Sequence, residues 1–228
     1  MLSDINFNVK KGETVAIIGS TGAGKTTLVN LIPRFYDATE GEVLVDGVNV
    51  RDYKVEDLCD KLSYISQKAV MFSGTVKSNV IFGAGGDEAL LDDALRISQS
   101  DEFVSALEAK ENADVAQGGT NFSGGQKQRL SIARALGKKS EIIIFDDTFS
   151  ALDFKTDREL RTALKTELEG VTKIIVAQRI GTIMGADKII VLDEGKQVGM
   201  GTHKELLSSC EVYKQIALSQ LSEEELAL

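Results

Sequence analysis

Nine residues, Gly19-Ser20-Thr21-Gly22-Ala23-Gly24-Lys25-Thr26-Thr27, restrict what this chain can fold into more than any other stretch. They follow an apolar run, Thr14-Val15-Ala16-Ile17-Ile18, and lead into Leu28-Val29-Asn30-Leu31-Ile32, which reads as a helix. Strand, glycine-rich loop and helix, with G-x-x-x-x-G-K-[ST] spacing, make a phosphate-binding P-loop. The glycines let backbone N–H groups curl around a polyphosphate, and the helix start adds partial positive charge. Lys25 is placed to reach the terminal phosphates, and the Thr26 hydroxyl can ligate Mg²⁺.

Around this loop, short apolar runs rich in β-branched residues alternate with helical patterns. Val43-Leu44-Val45, Glu141 to Phe145, Lys173 to Ala177 and Lys188 to Leu192 read as strands buried on both faces of a parallel α/β sheet. The middle is different. Helical patterns at Asp87 to Ile97 and Ser100 to Lys110 predict a helical subdomain over 69–137, inserted into a nucleotide-binding P-loop core formed by 1–68 and 138–228. Pro33, the one proline, is placed to terminate the P-loop helix.

Charge excludes one class of partner. A formal net charge of −9 leaves no basic stripe for a nucleic acid. No apolar run approaches the length of a bilayer span, and no signal-peptide pattern opens the chain. Cys59 and Cys210 lack metal-type spacing and suit a reducing compartment.

Two further motifs carry chemistry. Ile142-Ile143-Ile144-Phe145-Asp146-Asp147 is an apolar strand ending in two carboxylates, which suits Asp146 to a Mg²⁺ role beside a P-loop. Ser123 reads as an N-cap, followed by Gly124, Gly125 and Gln126 at the start of a helix running through Ala135 and Leu136. Uncovered N–H groups at that start form a second anion-directed site.

Taken in order, these motifs resemble the nucleotide-binding domain of ABC transporters over nearly the whole chain. Gly19 to Thr27 resembles the family's Walker A motif, Phe122 to Gln126 its LSGGQ signature (with Phe122 for Leu), and Asp146 its Walker B aspartate. Gln67, in Tyr64-Ile65-Ser66-Gln67, is similar to the Q-loop glutamine that contacts Mg²⁺ and the attacking water. Ser150-Ala151-Leu152-Asp153 is similar to the D-loop. Phe72 to Val76 and Gly201-Thr202-His203 resemble the exporter branch. The resemblance implies a P-loop NTPase (RecA-like) α/β core and ATP and Mg²⁺ as cofactors. It also implies a head-to-tail pair in which the signature of one domain, Ser123, Gly124, Gly125 and Gln126 here, meets the partner's ATP. Membrane-spanning exporter domains are the further partners implied, with the chain at the cytoplasmic face of the membrane.

Three departures modify that expectation. The family's catalytic glutamate position holds Asp147, one methylene or roughly 1.5 Å shorter. The switch-histidine position holds Gln178, which can donate a hydrogen bond but cannot become a cation. The single histidine, His203, sits in Thr202-His203-Lys204-Glu205, with capping-box spacing and a structural role. Both hydrolytic positions are altered and the ATP-holding groups are kept. The chain therefore resembles the degenerate-site subunit of heterodimeric multidrug exporters, with a non-identical partner and slow turnover. Finally, the stretch Met1 to Ile5 starts where the family's adenine-stacking strand should already have ended, so a longer polypeptide is expected. The competing functions are a soluble, non-transport ABC ATPase and a nucleotide-sensing module that does not hydrolyse ATP.

Overall fold

In a computed structural model the described residues are 1–84 and 87–222; residues 85–86 and 223–228, which fall inside the two expected domain spans, lie outside them. Along the chain the strands are β1 (Thr14–Gly19), β2 (Leu44–Val45), β3 (Val48–Asn49), β4 (Leu62–Ile65), β5 (Gly74–Thr75), β6 (Asp114–Val115), β7 (Ile142–Asp146), β8 (Thr172–Val176), β9 (Lys188–Asp193) and β10 (Lys196–Gly201). The α-helices are α1 (Lys25–Asn30), α2 (Val55–Lys61), α3 (Val76–Val80), α4 (Leu91–Ile97), α5 (Asp101–Ser105), α6 (Gly124–Gly137), α7 (Phe154–Glu167), α8 (Ile180–Ile183), α9 (His203–Ser209) and α10 (Glu211–Leu218).

Six strands form the main sheet in the order β10-β9-β1-β8-β7-β4. All neighbours run parallel except the β9–β10 hairpin at one edge. Alternation divides the sheet's side chains between two cores. Val15, Ile17, Ile144, Ile174, Val176 and Ile190 face one side, with Leu28 and Val29 of α1. Ala16, Ile18, Ile143, Phe145, Ile175 and Val191 face the other, against Leu130 of α6, Leu160 of α7 and Tyr213 of α10. Burial on both faces explains why these strands read as unbroken apolar runs. Helices α3 to α6, between β4 and β7, bury Val76, Val80, Leu95 and Val104 in that second core and are continuous with it. Among the described residues no helix is long and apolar enough to cross a membrane.

Two local expectations need correction, over 43–45 and 100–110. Val43-Leu44-Val45 is not in the parallel sheet: among the described residues β2 pairs only with β3, and Leu44 is exposed. Asp46 and Gly47, at φ 50° and 76°, form the tight turn between them, as an Asp-Gly pair favours. The Asp87 to Ile97 pattern is a 3₁₀ turn over Glu88–Leu90 followed by α4. The Ser100 to Lys110 pattern gives α5 only as far as Ser105. Leu107 N and Lys110 N then donate to the carbonyls of Val104 and Leu107, closing four-residue turns, and Lys110 sits at φ 48°, outside the helical region. The P-loop helix ends at Asn30, and Pro33 lies just beyond its Leu31 cap.

Candidate functional site

Parallel strands deliver their carboxyl ends to one edge of the sheet, where open α/β folds bind ligands. β1 ends there at Gly19, β4 leads to Gln67, β7 ends at Asp146 and β8 leads to Gln178. The loop leaving β1 turns through Gly22 and Gly24 at φ 86° and 96°, a conformation that side chains rarely adopt, and Gly24 caps α1. Lys25 folds back over this loop and donates to the carbonyl oxygens of Gly19 and Ser20, each at 2.8 Å. It is 9% exposed, and burial pushes its ammonium below the usual lysine range while the charges of Asp147 and Asp146 oppose the shift.

Asp146 is buried, and both its oxygens are occupied. Thr26 Oγ1 donates to Oδ1 at 2.9 Å, and Tyr64 OH donates to Oδ2 at 2.8 Å. Asp147 is also buried and holds a left-handed conformation, φ 49° and ψ 30°. Its N–H donates to the Val176 carbonyl at 3.0 Å, tying β7 to β8 beyond the end of the strand. Two amides converge on one carboxylate oxygen: Gln67 Nε2 at 2.9 Å and Gln178 Nε2 at 2.7 Å from Asp147 Oδ2. Burial raises the Asp147 carboxyl above its ordinary range and the Gln178 hydrogen bond works against that; Asp146 adds to the rise and Lys25 reduces it. A cavity of about 280 Å³ is lined by Thr21, Gly22, Gly24, Lys25, Thr26, Thr27, Gln67, Asp147 and Gln178. The chain thus gathers Gly19 to Thr27, Gln67, Asp146, Asp147 and Gln178 in one place.

The signature residues stand apart. Ser123 caps α6 by accepting from Gln126 N at 3.2 Å, and Gln126 Oε1 accepts from Ser123 N at 2.9 Å. Among the described residues no hydrogen bond joins this cap to the P-loop, and Ser123 and Gly124 are exposed. A Cβ at Gly124 would meet nothing within 4 Å, so no contact inside the chain requires a glycine there. Asp153 caps α7, accepting from Thr156 N at 3.0 Å. Replacing Ser123 with alanine removes the α6 cap and is expected to cost about 1 kcal/mol, read as a lowered midpoint in urea unfolding. An unchanged midpoint would show that the cap adds nothing.

Residues 2–150 match the family model described as ABC transporter. The chain belongs to the ABC transporter family. It is 46% identical over 226 residues to an uncharacterized ABC transporter ATP-binding protein of Mycobacterium tuberculosis, covering 96% of this chain and 38% of that protein. It is 41% identical to an ATP-dependent lipid A-core flippase of Hahella chejuensis, covering 97% of this chain and 38% of the flippase. Among solved structures it resembles a bacterial Atm1-family ABC exporter with ATP bound, with TM-score 0.91, 35% identity, and coverage of 94% of this chain and 38% of the other. The chain therefore spans well under half the length of the relatives it matches. The ABC domain is nucleotide-binding by family, and its likeness runs to exporters and flippases.

Sequence reasoning singled out the P-loop, Asp146, Asp147, Gln67 and Gln178, but not the groups that brace them. Tyr64 was legible in principle, because a half-buried tyrosine on a strand next to an acidic strand end needs a partner for its hydroxyl. Gln128 of α6 donates to the Ser66 carbonyl at 3.2 Å and so connects the signature helix to the segment carrying Gln67. Leu2 packs over Gly24, where a Cβ would come within 2.5 Å of its Cδ2. No sequence signal announces either contact.

Proposed function

We propose that this chain is the ATP-binding and ATP-hydrolysing domain of an ABC-type exporter, closing head to tail with a second, non-identical nucleotide-binding domain around Mg-ATP. Its own site turns over slowly. Transmembrane domains of the exporter are the other partners, with the chain at the cytoplasmic face of the membrane. The likeness to a flippase and to an ATP-bound exporter supports the transport reading. The exposed cap at Ser123, with open space at Gly124, supports a signature that meets the partner's nucleotide rather than its own.

The slow-site clause rests on one observation: Gln67 and Gln178 both occupy Asp147 Oδ2. A general base needs a free lone pair within hydrogen-bond reach of the attacking water. Here one oxygen is doubly engaged, and the side chain is one methylene shorter than glutamate. The groups that bind phosphate are all retained. Lys25 supplies charge, the P-loop N–H groups supply donors, and Thr26 with Asp146 would hold Mg²⁺. A hydroxyl and a carboxylate are hard oxygen donors of the kind Mg²⁺ takes alongside phosphate oxygens. When bound, the ion would neutralise phosphate charge.

The test pairs binding with turnover. Titration with MgATP should show saturable binding, while single-turnover hydrolysis remains slow. Failure to bind overturns the whole reading, and fast hydrolysis overturns the slow-site clause. Binding with no hydrolysis, even beside a partner domain, would favour the nucleotide-sensing module instead.

Tyr64 bears on the Mg²⁺ part of the proposal. Its hydroxyl fixes Asp146 in the orientation that meets Thr26. Tyr64→Phe keeps the ring edge-on to Phe35, 5.3 Å between centroids, and removes only the hydroxyl. Loss of one hydrogen bond to a charged group, about 1.5 kcal/mol, should weaken apparent Mg²⁺ affinity about tenfold. ATP binding in EDTA should be unchanged. Equal changes with and without Mg²⁺ would refute the role.

A further inference from the structure

The segment after α10 reaches back to the phosphate site. Ser219 N donates to the Gln215 carbonyl at 3.1 Å and Gln220 N to that of Ala217 at 3.0 Å, while Leu221 packs on the main core. The backbone at Gln220 is therefore fixed. Its side-chain amide brackets the loop that leaves β8: Oε1 accepts from Ile180 N at 2.8 Å, and Nε2 donates to the Gln178 carbonyl at 2.8 Å. Helix α8 receives no cap from the side chain of Arg179, so the Ile180 N–H is one of the orphan donors that a helix start leaves. Gln220 satisfies it from 40 residues further along the chain. The carbonyl it holds belongs to the same residue whose Nε2 reaches Asp147 Oδ2 at 2.7 Å.

We propose that Gln220 is a positioning residue for the nucleotide site. Its amide sets the backbone of Gln178, and thereby where the Gln178 side chain points. The amide carries a donor and an acceptor on one planar head, which lets it engage a C=O and an N–H two residues apart at once. The role is separate from the general anchoring of the C-terminal segment, which Leu221 and Ala217 provide from the core. The inference rests on reading this site as one that binds and slowly hydrolyses ATP.

Two substitutions separate positioning from capping. Gln220→Ala loses both contacts. Gln220→Glu keeps an acceptor for Ile180 N–H but cannot donate to the Gln178 carbonyl. Single-turnover hydrolysis of radiolabelled MgATP by the intact protein should rise about tenfold in both, because a displaced Gln178 amide frees Asp147 Oδ2, a modest share of what a shift of about 1 Å can change. The MgATP Kd should stay within twofold. In a Gln178→Ala background, Gln220→Ala should change the rate by less than twofold, because its effect passes through the missing side chain. Parent-like hydrolysis by Gln220→Glu would reduce Gln220 to a helix cap. Equal changes in both backgrounds would assign it to general stability, and either result overturns the proposal. Should the alanine variant not fold, the glutamate variant alone decides, with α8 still capped. A parent protein that binds no MgATP overturns the ATP-site reading and this proposal together; a parent that binds, with variants hydrolysing at its rate, overturns only the role of Gln220.

Discussion

Lys25→Met is expected to weaken ATP binding about a hundredfold, equivalent to roughly 2–3 kcal/mol for a charge-assisted contact made by a largely buried cation. Methionine keeps most of the side chain's length, so packing against the loop survives while the charge goes. The two carbonyls that now hold the ammonium, at Gly19 and Ser20, each at 2.8 Å, lie in the P-loop itself. The Lys25 ammonium therefore stands over the P-loop, where phosphate oxygens can take the place of these carbonyls. The measurement is calorimetric titration with MgATP, with the thermal midpoint followed as a check on folding. An affinity within threefold of the parent, in a folded variant, would remove Lys25 from the site.

The second large effect has the opposite sign. Asp147→Glu combined with Gln178→His should raise turnover about a hundredfold, the scale associated with correcting a misplacement of about 1 Å. Glutamate extends the carboxylate by roughly one bond length past the oxygen position that Gln67 and Gln178 now share. Histidine replaces an amide that only donates with a ring that can carry charge near neutral pH. The two changes meet at one oxygen, 2.7 Å from the Gln178 amide, so their effects should not add. Each single variant is expected to recover only part of the gain. A double variant no faster than the parent would mean that Asp147 and Gln178 do not limit the reaction.

How much of this was legible in the sequence depends on how far apart the participating residues lie. The P-loop is written locally. Glycine spacing, an apolar run before it and Lys25 after it are all fixed within a few residues. Asp146 is nearly as local, since an unbroken apolar strand that stops at a carboxylate must present it at the strand end. The shared engagement of Asp147 is not local. Gln67 and Gln178 lie 80 residues before it and 31 after it, and only the register of β4, β7 and β8 brings them to one atom. Val43 to Val45 was misjudged for the reverse reason. Composition suggested a buried strand, but the Asp46-Gly47 turn dictated a two-residue hairpin and left Leu44 exposed. Gln220 gave no signal at all, because an amide in a polar segment looks like any solvated side chain until its partners are known.

The position of β1 has a consequence for how the chain is made. The strand carrying the P-loop is synthesised before the strands it pairs with, β8 and β9, with Thr14 registered against Lys173 and Val15 against Lys188. Contacts so distant in sequence close late and slowly. During translation the loop that names the ligand therefore waits, with its strand unpaired along both edges, until β8 and β9 have left the ribosome. The nucleotide site is begun at β1 and completed only with β8 and Gln178, so a nascent chain that stops short of Thr172 has the motif without the pocket.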